Sequence, residues 1–493
     1  MNQKALTEGI EVSSVFVGRE RELESLRREI SSSRPSLIII FGRRRVGKSA
    51  LILKALGETP HVYYQATRLL DSANLSRFRD RIRNFMGTDD PLLAGLQSWE
   101  AVFEYLIRLA RTTARSTPLT VVLDEFPYLC EMNPGLPSIL QVIWDQIERE
   151  RLPLKLVLCG SMMAFMEDLL AERNPLYGRQ TMVMKVGPLP FRDGAKFFPG
   201  WTDEDRLLAH FVFGGIPYYL GFCSPAKSFS ENIVATVFGV GAPLLEEPEH
   251  VLQAELRSVS RYASIINAIA SGCTQVSQIV GHLRELRSAT DLAPYIATLM
   301  RLGLIRREAS LDQRDRERER KGRYFLNDQF MVFWYRFVLP NLSAIASGHG
   351  QEMYETVVAP ALNDYGGSLF EVVSRQYMSL YGGEAVASPV REVGRIWGDD
   401  SDIDVVGETI EGTPFFGECK WTVRAVGTNV LEELRRRAAS TAYGRRASDR
   451  YLLLFSKSGF TPELTRIARA DPWVRLLDLS ALLGRTGPAH SRS

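Results

Sequence analysis

Apolar and polar positions follow one another in three different textures along the 493 residues. From about Phe16 to Val240, short apolar runs alternate with amphipathic stretches of helical length. Short continuous apolar runs suit strands buried on both faces, and intervening helices suit parallel crossover connections. Strands are expected at residues 36–41, 61–65, 119–123, 154–159 and 181–186. Pro188, Pro190 and Gly194 punctuate the exit from the last of these. From about Pro243 to Asn341 the texture turns helical, with short helices expected at 262–271, 275–283 and 291–302. A strand at 304–308, a charged loop and a strand at 323–326 follow. From about Met353 the pattern returns to α/β, with a helix at 369–381 and strands at 402–406, 413–419 and 451–455.

The expected fold class is therefore α/β and multidomain. Residues 16–240 form a parallel-sheet domain with a helical lid. Residues 241–345, three helices and a hairpin, have the layout of a winged helix. Residues 346–484 form a second α/β domain. Apolar residues make up 45% of the chain and charged residues 24%, enough for several buried cores. The cysteines at 130, 159, 223, 273 and 419 make no CxxC pair and no zinc spacing with histidine, which points away from a disulfide framework or a zinc module. The opening MNQKALTEGIEVSS lacks an apolar core, and no apolar run approaches the roughly 20 residues of a membrane span. A cytoplasmic protein with no membrane partner is expected. The formal net charge of +2 supplies no global field, so any contact with DNA must come from local patches.

Candidate chemistry begins in LIIIFGRRRVGKSALI, where Gly42 and Gly47-Lys48-Ser49 stand between an apolar strand and a helix. That context makes a P-loop: glycines let the backbone N–H groups wrap phosphates, and the helix N-terminus adds partial positive charge. Lys48 is expected to reach the β- and γ-phosphates of ATP and Ser49 to ligate Mg²⁺. Arg43, Arg44, Arg45 and Val46 lie within the loop and Ala50 follows it, all as nucleotide contacts. The run LTVVLDE ends a buried-type strand in two carboxylates. Asp124 is expected in the Mg²⁺ shell, and Glu125 is expected to orient or deprotonate the attacking water. Ser161, after the strand at 154–159, either senses the γ-phosphate or simply turns the chain. Arg179 is either a γ-phosphate arginine or a surface residue.

A second constellation lies near the carboxy terminus. Glu371 sits on the helix at 369–381, Asp402 and Asp404 begin a strand, and Glu418-Cys419-Lys420 ends the next. The period of two sends Asp402 and Asp404 to one face, and Glu418 and Lys420 to one face of the neighbouring strand. Asp404 and Glu418, with Glu371, can grip a divalent metal, and Lys420 can orient water or stabilise a phosphorane. The alternative is polar alternation facing solvent. Arg435, Arg436, Arg437, Arg445, Arg446 and Arg450 either meet phosphates or form a solvated basic stretch. The aromatics from Phe330 to Phe337 read as core. Arg284, Arg287 and Arg301 either approach DNA or belong to a winged helix that serves as a lever.

Several of these stretches together resemble a known family. Phe16-Val17-Gly18-Arg19-Glu20-Arg21-Glu22-Leu23, GRRRVGKS, LDEF, PLYGR and Gly214-Gly215-Ile216-Pro217 are similar to motifs of the STAND branch of AAA-like ATPases, in its archaeal-type group, which also occurs in bacteria. The resemblance implies that Val17, Gly18 and Pro217 contact the base. Asp404 with Glu418-Cys419-Lys420 resembles the PD-(D/E)xK nuclease core, and members often carry Glu where Asp402 stands. Tyr324-Phe325-Leu326-Asn327-Asp328, Phe333 to Phe337 and Gly394-Arg395-Ile396-Trp397-Gly398 also match the group, so the resemblance spans nearly the whole chain. It implies an ATP-binding and ATP-hydrolysing enzyme coupled to a metal-dependent, restriction-endonuclease-like domain that acts on or binds DNA. The competing reading is a switch set by ATP or ADP, open to homo-oligomer assembly, whose last domain is a non-catalytic binding module. A third is a DNA-binding regulator acting through the winged helix.

Overall fold

The computed structural model describes residues 16–112, 118–256, 258–283, 288–312, 322–398, 402–446 and 449–485. They fall into two compact units, the first running to Pro188 and including Ile216–Tyr218 and Arg301–Gly303, the second holding the rest.

The first unit is built on a parallel sheet. Its strands are β1 (Ser36–Phe41), β2 (His61–Gln65), β3 (Leu119–Asp124), β4 (Leu154–Gly160) and β5 (Met182–Lys185), in the order β2-β3-β4-β1-β5. Every residue of β1, β3 and β4 is buried, as near-continuous apolar runs require when helices cover both faces. Phe78, Trp99 and Phe103 pack against one another under one face, with centroids 5.5 to 6.3 Å apart. Because all strands run the same way, the loops that follow β1, β3 and β4 leave the sheet at one edge. β4 lies between β1 and β3, which places Gly160 and Ser161 between the P-loop and Asp124.

In the second unit, helices Val259–Ala270, Val276–His282 and Ala289–Arg301 precede β6 (Ile305–Glu308) and β7 (Arg323–Leu326), an antiparallel pair. Three helices and a hairpin are thus present. Arg284, Arg287 and residues 314–321 of the expected wing lie outside the described residues. A second sheet has the order β12-β11-β10-β9-β8, from β8 (Val390–Ile396), β9 (Ile403–Thr409), β10 (Pro414–Lys420), β11 (Tyr451–Ser456) and β12 (Val474–Asp478). β8, β9 and β10 are antiparallel neighbours, whereas β10, β11 and β12 are parallel. Helix Thr428–Ser440 makes the crossover from β10 to β11, burying Leu431, Leu434 and Ala438. Helix Ala359–Tyr381 packs on β8, β9 and β10.

The first compact unit ends at Pro188, within the stretch expected to run as one domain to Val240. Aromatic packing explains the change. Helix Asp203–Phe213 stacks Phe213 on Phe330, sets Phe211 edge-on to Trp421, and accepts a hydrogen bond at the Phe211 carbonyl from Tyr365 Oη at 3.1 Å. Phe330, Phe333, Trp334, Tyr335 and Phe337 are all buried, so this aromatic stretch is core. Among the described residues, no helix is long and apolar enough to cross a membrane.

His210, on the same helix, is buried edge-on to Phe191, and its Nδ1 finds no hydrogen-bond partner. Burial pushes its pKa down to about 4. The unfolded chain protonates near 6.5 and the folded chain does not, so stability is full above 6.5 and drains as pH falls toward 4. The loss is about 3 kcal/mol over that window, at about 1.4 kcal/mol per pH unit. Urea midpoints measured between pH 7.5 and 4.5 should decline, and His210→Leu should flatten the decline. An equal slope in the variant would assign it to other groups.

Candidate nucleotide and metal sites

The P-loop is shaped by close backbone approach. A Cβ on Gly42 would lie 2.1 Å from the Val186 carbonyl oxygen, so only glycine fits there. Gly47 has φ +88° and heads helix Lys48–Leu56. Arg45 also holds a positive φ of 72°, with its guanidinium 4.2 Å above the Tyr218 ring. Arg44 donates to the Tyr128 hydroxyl, away from the loop's interior. Val46 is fully buried. Lys48 is buried as well, and its Nζ donates to the carbonyls of Gly42 at 2.8 Å and Arg43 at 3.0 Å. The amine therefore lies across the concavity of the loop, where phosphate oxygens can replace those carbonyls.

Ser49 Oγ donates to Asp124 Oδ2 at 2.7 Å, and Tyr63 Oη donates to the same oxygen at 2.5 Å. Burial and the Asp124 charge push the Tyr63 phenol well above its ordinary range, which keeps it a donor. A carboxylate beside the P-loop hydroxyl is a hard oxygen donor pair that fits Mg²⁺. Glu125 takes a left-handed φ of 52°, strained for a non-glycine residue. Its carboxylate accepts from Ser161 Oγ at 2.8 Å and from Ser161 N at 3.3 Å. Ser161 thus meets the Glu125 carboxylate.

Val17 and Gly18 lead into Arg19, whose φ is 62°. The Arg19 side chain is buried, and its Nη2 donates to the Val46 carbonyl at 2.7 Å and the Gly187 carbonyl at 2.6 Å. The opening motif is thereby fastened to the P-loop. Pro217 also reaches it, its Cγ 3.7 Å from where a Gly47 Cβ would stand. Ala50 is half-buried in the first turn of the helix.

Arg179 is the exception. Its guanidinium makes a two-bond pair with Asp145, at 2.7 and 3.0 Å, and also donates to the Pro175 carbonyl. It precedes β5 at the sheet edge where β1 begins, because Thr181 N donates to the Leu37 carbonyl. The P-loop leaves the other end of β1, roughly 20 Å away at about 3.3 Å per residue. Arg179 is therefore no part of this chain's own phosphate cradle.

At the second sheet, antiparallel pairing of Gly417 with Val405 sets the register in which Glu418 comes opposite Asp404. Asp404 Oδ2 accepts from Cys419 N at 2.9 Å. Burial, with the charges of Glu371 and Glu418, raises the Asp404 carboxyl to about 7. Glu371 is raised too, chiefly by burial, against the opposing pull of Arg375 and Arg395. Lys420 Nζ donates to Glu418 Oε1 at 2.6 Å, and Arg437 stands 3.6 Å from Oε2. Three acids and a lysine are therefore near one another. They do not form the expected ligand set as they stand: among the described residues, no group of three or more His, Cys, Asp or Glu is arranged to hold a metal ion. The reason is visible in the pairing, since Glu418 turns to Lys420 and Arg437 while Glu371 turns to Arg375 at 3.7 Å. Asp402 stands outside, accepting from Gly398 N at 3.1 Å in the turn before β9. The basic helix is self-neutralised, with Arg435 on Asp471 and both Arg436 and Arg437 on Glu433.

Arg19 and Tyr63 were not singled out by the residue pattern. The first sat inside the opening motif, but its contacts join positions 27 and 168 residues away. The second is one aromatic among several in its strand.

A family described as an ATPase domain predominantly from Archaea matches residues 16–221. A family described as archaeal and bacterial proteins of unknown function matches residues 334–433. An uncharacterized protein of Methanocaldococcus jannaschii is 31% identical over 410 residues, 83% of this chain and 88% of the relative. An uncharacterized ATP-binding protein of the same organism is 52% identical over 42 residues, 8% of this chain and 71% of that protein. The Walker-type ATPase paby2304 of Pyrococcus abyssi is similar in structure, with a TM-score of 0.50 at 20% identity, covering 65% of this chain and 96% of that one. With the parallel sheet and the P-loop geometry in place, the chain belongs to the family of ATPases found predominantly in Archaea, and it also carries a region that matches a family of unknown function.

Proposed function

We propose that this ATPase hydrolyses ATP with Mg²⁺ at Lys48, Ser49, Asp124 and Glu125, and that its carboxy-terminal sheet is a metal-dependent, DNA-cleaving domain under ATP control. The observation that carries the first part is the 2.7 Å bond from Ser49 to Asp124, which joins the loop to the acid of β3. The P-loop N–H groups and the Lys48 amine hold the β- and γ-phosphates. Ser49 and Asp124 would hold Mg²⁺, which would supply charge neutralisation. Glu125, once it leaves Ser161, accepts a proton from water as the water oxygen bonds to the γ-phosphorus and the bridging oxygen departs with ADP. The second part rests on Asp404, Glu418 and Lys420 lying on paired strands, with Glu371 on the helix above. A shift of Glu418 away from Lys420 and Arg437 would open a carboxylate set suited to a hard cation.

One observation favours a second reading. Glu125 is held by Ser161 and Glu418 by two cations, so both acids are engaged in this state. A switch whose last domain binds a partner without cleaving it would look the same. Labelled single- and double-stranded DNA, incubated with the protein and Mg²⁺ or Mn²⁺ with and without ATP, separates the two. We expect cleavage that Lys420→Ala abolishes and ATP turnover that Lys48→Ala abolishes. Wild-type protein that turns over ATP but cuts nothing with either metal decides for the switch.

A further inference from the structure

A cavity of about 800 Å³ in the second unit is lined by four guanidiniums, those of Arg306, Arg336, Arg375 and Arg395, and by one carboxylate, Glu371. A second cavity of about 800 Å³ shares Arg306, Arg375 and Arg395 and has Glu308 and Glu392 in its wall. The shared arginines thus form a partition reachable from both sides.

These charges are poorly balanced. Arg306 pairs with Glu308 at 2.8 Å and donates to the Leu326 carbonyl at 2.7 Å, so it is satisfied. Arg395 is not. Its side chain is only 17% exposed, and although Glu308 lies 3.1 Å from Nη2, neither Nε nor Nη2 has an acceptor in hydrogen-bond geometry. It lies 4.5 Å over the Phe325 ring and 5.0 Å from the Trp397 ring, the latter shared with Arg323 at 4.8 Å. Arg323 Nε is likewise buried without an acceptor. Burial and the neighbouring Arg375 and Arg323 push the Arg395 pKa down, the mark of like charges held close. Among the described residues, the four guanidiniums that line the first cavity meet Glu371 in its wall and Glu308, which lies beside Arg306 and Arg395, so positive charge is in excess there. Buried donors without acceptors are costly unless an acceptor arrives.

We infer that this cavity binds the terminal phosphate of a nucleotide, either a free mononucleotide or the phosphorylated end of a strand. A phosphate monoester is close to a dianion at neutral pH, which matches the excess, and its oxygens suit guanidinium forks. The volume exceeds what a bare phosphate needs and falls within the range of small-molecule sites. Phe325, Leu326, Val332 and Leu369 supply apolar wall for a base, and Asn267 and Ser271 supply polar atoms at its edge. The inference goes beyond the cleavage reading and does not require it, because it concerns binding alone.

The test is fluorescence anisotropy of the full chain, without divalent cation, using 3′-labelled oligothymidylate with either a 5′-phosphate or a 5′-hydroxyl. The phosphorylated form should bind about tenfold or more tightly, the scale of one charge-assisted hydrogen bond. Arg395→Gln should erase that preference. Arg336→Gln, at an exposed position that leaves the fold intact, should reduce it several-fold. Competition by thymidine 5′-monophosphate at similar concentration identifies the free nucleotide as ligand, whereas capture of the phosphorylated strand alone identifies the strand end. Equal binding of the two oligonucleotides overturns the inference. So does competition by inorganic phosphate as strong as by the mononucleotide, or a preference that survives Arg395→Gln and Arg336→Gln in folded protein but is lost in Lys48→Ala.

Discussion

Glu125→Gln is expected to lower ATP turnover by about 10²–10⁴-fold, the span attributable to a positioned general base, while the nucleotide still binds. Gln keeps the size of the side chain and its ability to accept from Ser161, so the left-handed turn at position 125 and helix Phe126–Met132 should survive. What Gln cannot do is take the proton from the attacking water. Phosphate release measured beside the dissociation constant for ATP separates the two contributions. Ser161→Ala is the informative companion. The Ser161 hydroxyl donates to Glu125 at 2.8 Å, so its removal leaves only the longer bond from Ser161 N at 3.3 Å and should leave turnover equal or higher. A Glu125→Gln protein with undiminished turnover would remove Glu125 from the mechanism. A loss in Ser161→Ala as deep as in Glu125→Gln would make the serine a required partner rather than a restraint.

The parts legible in the residue order were those encoded locally. All five strands of the first sheet were expected, and β1, β3 and β4 most directly, because a strand buried on both faces must be a continuous apolar run bounded by turn residues. The P-loop and the acids after β3 were legible for a related reason: phosphate wrapping needs glycines and a lysine at fixed spacing along one turn. β8 and β12 were not anticipated. β8 is VREVGRI, with Arg391, Glu392 and Arg395 interrupting its apolar positions, and β12 is only five residues long. Its charged residues make β8 look like loop, yet Arg391 pairs with Glu408 on β9 and Arg395 forms part of the cavity wall. The misplacement of Arg179 has a different cause. A guanidinium near a sheet could serve either edge, and only the register of β5 against β1 shows which. The packing of the helices after Pro188 was hidden because they look like any amphipathic lid. Their partners, Phe330, Tyr365 and Trp421, come more than a hundred residues later.

Arg19→Ala should be the most damaging substitution among residues that touch no phosphate. One Nη2 serves two carbonyls, that of buried Val46 in the P-loop and that of Gly187 just after β5, so the alanine removes the donor from both. Hydrogen bonds to a charged group contribute about 1.5–3 kcal/mol each, and orphaned buried acceptors carry a further desolvation penalty. A loss of about 3–5 kcal/mol is therefore expected, much of the stability of an ordinary domain. Alanine also keeps the left-handed φ of 62° with no bond to compensate for it. The effect on function should exceed that of a distant core mutation of equal size. Val46 belongs to the loop that has to wrap the phosphates, and a loop that must be ordered on binding draws that ordering from the affinity. Arg19→Lys discriminates between charge and geometry: an ammonium keeps the charge but lacks the planar fork, and should recover stability only in part. Thermal melting with and without ATP reads both quantities. If Arg19→Ala melts within a few degrees of the parent and is stabilised equally by ATP, the bridge to Val46 and Gly187 does not organise the loop.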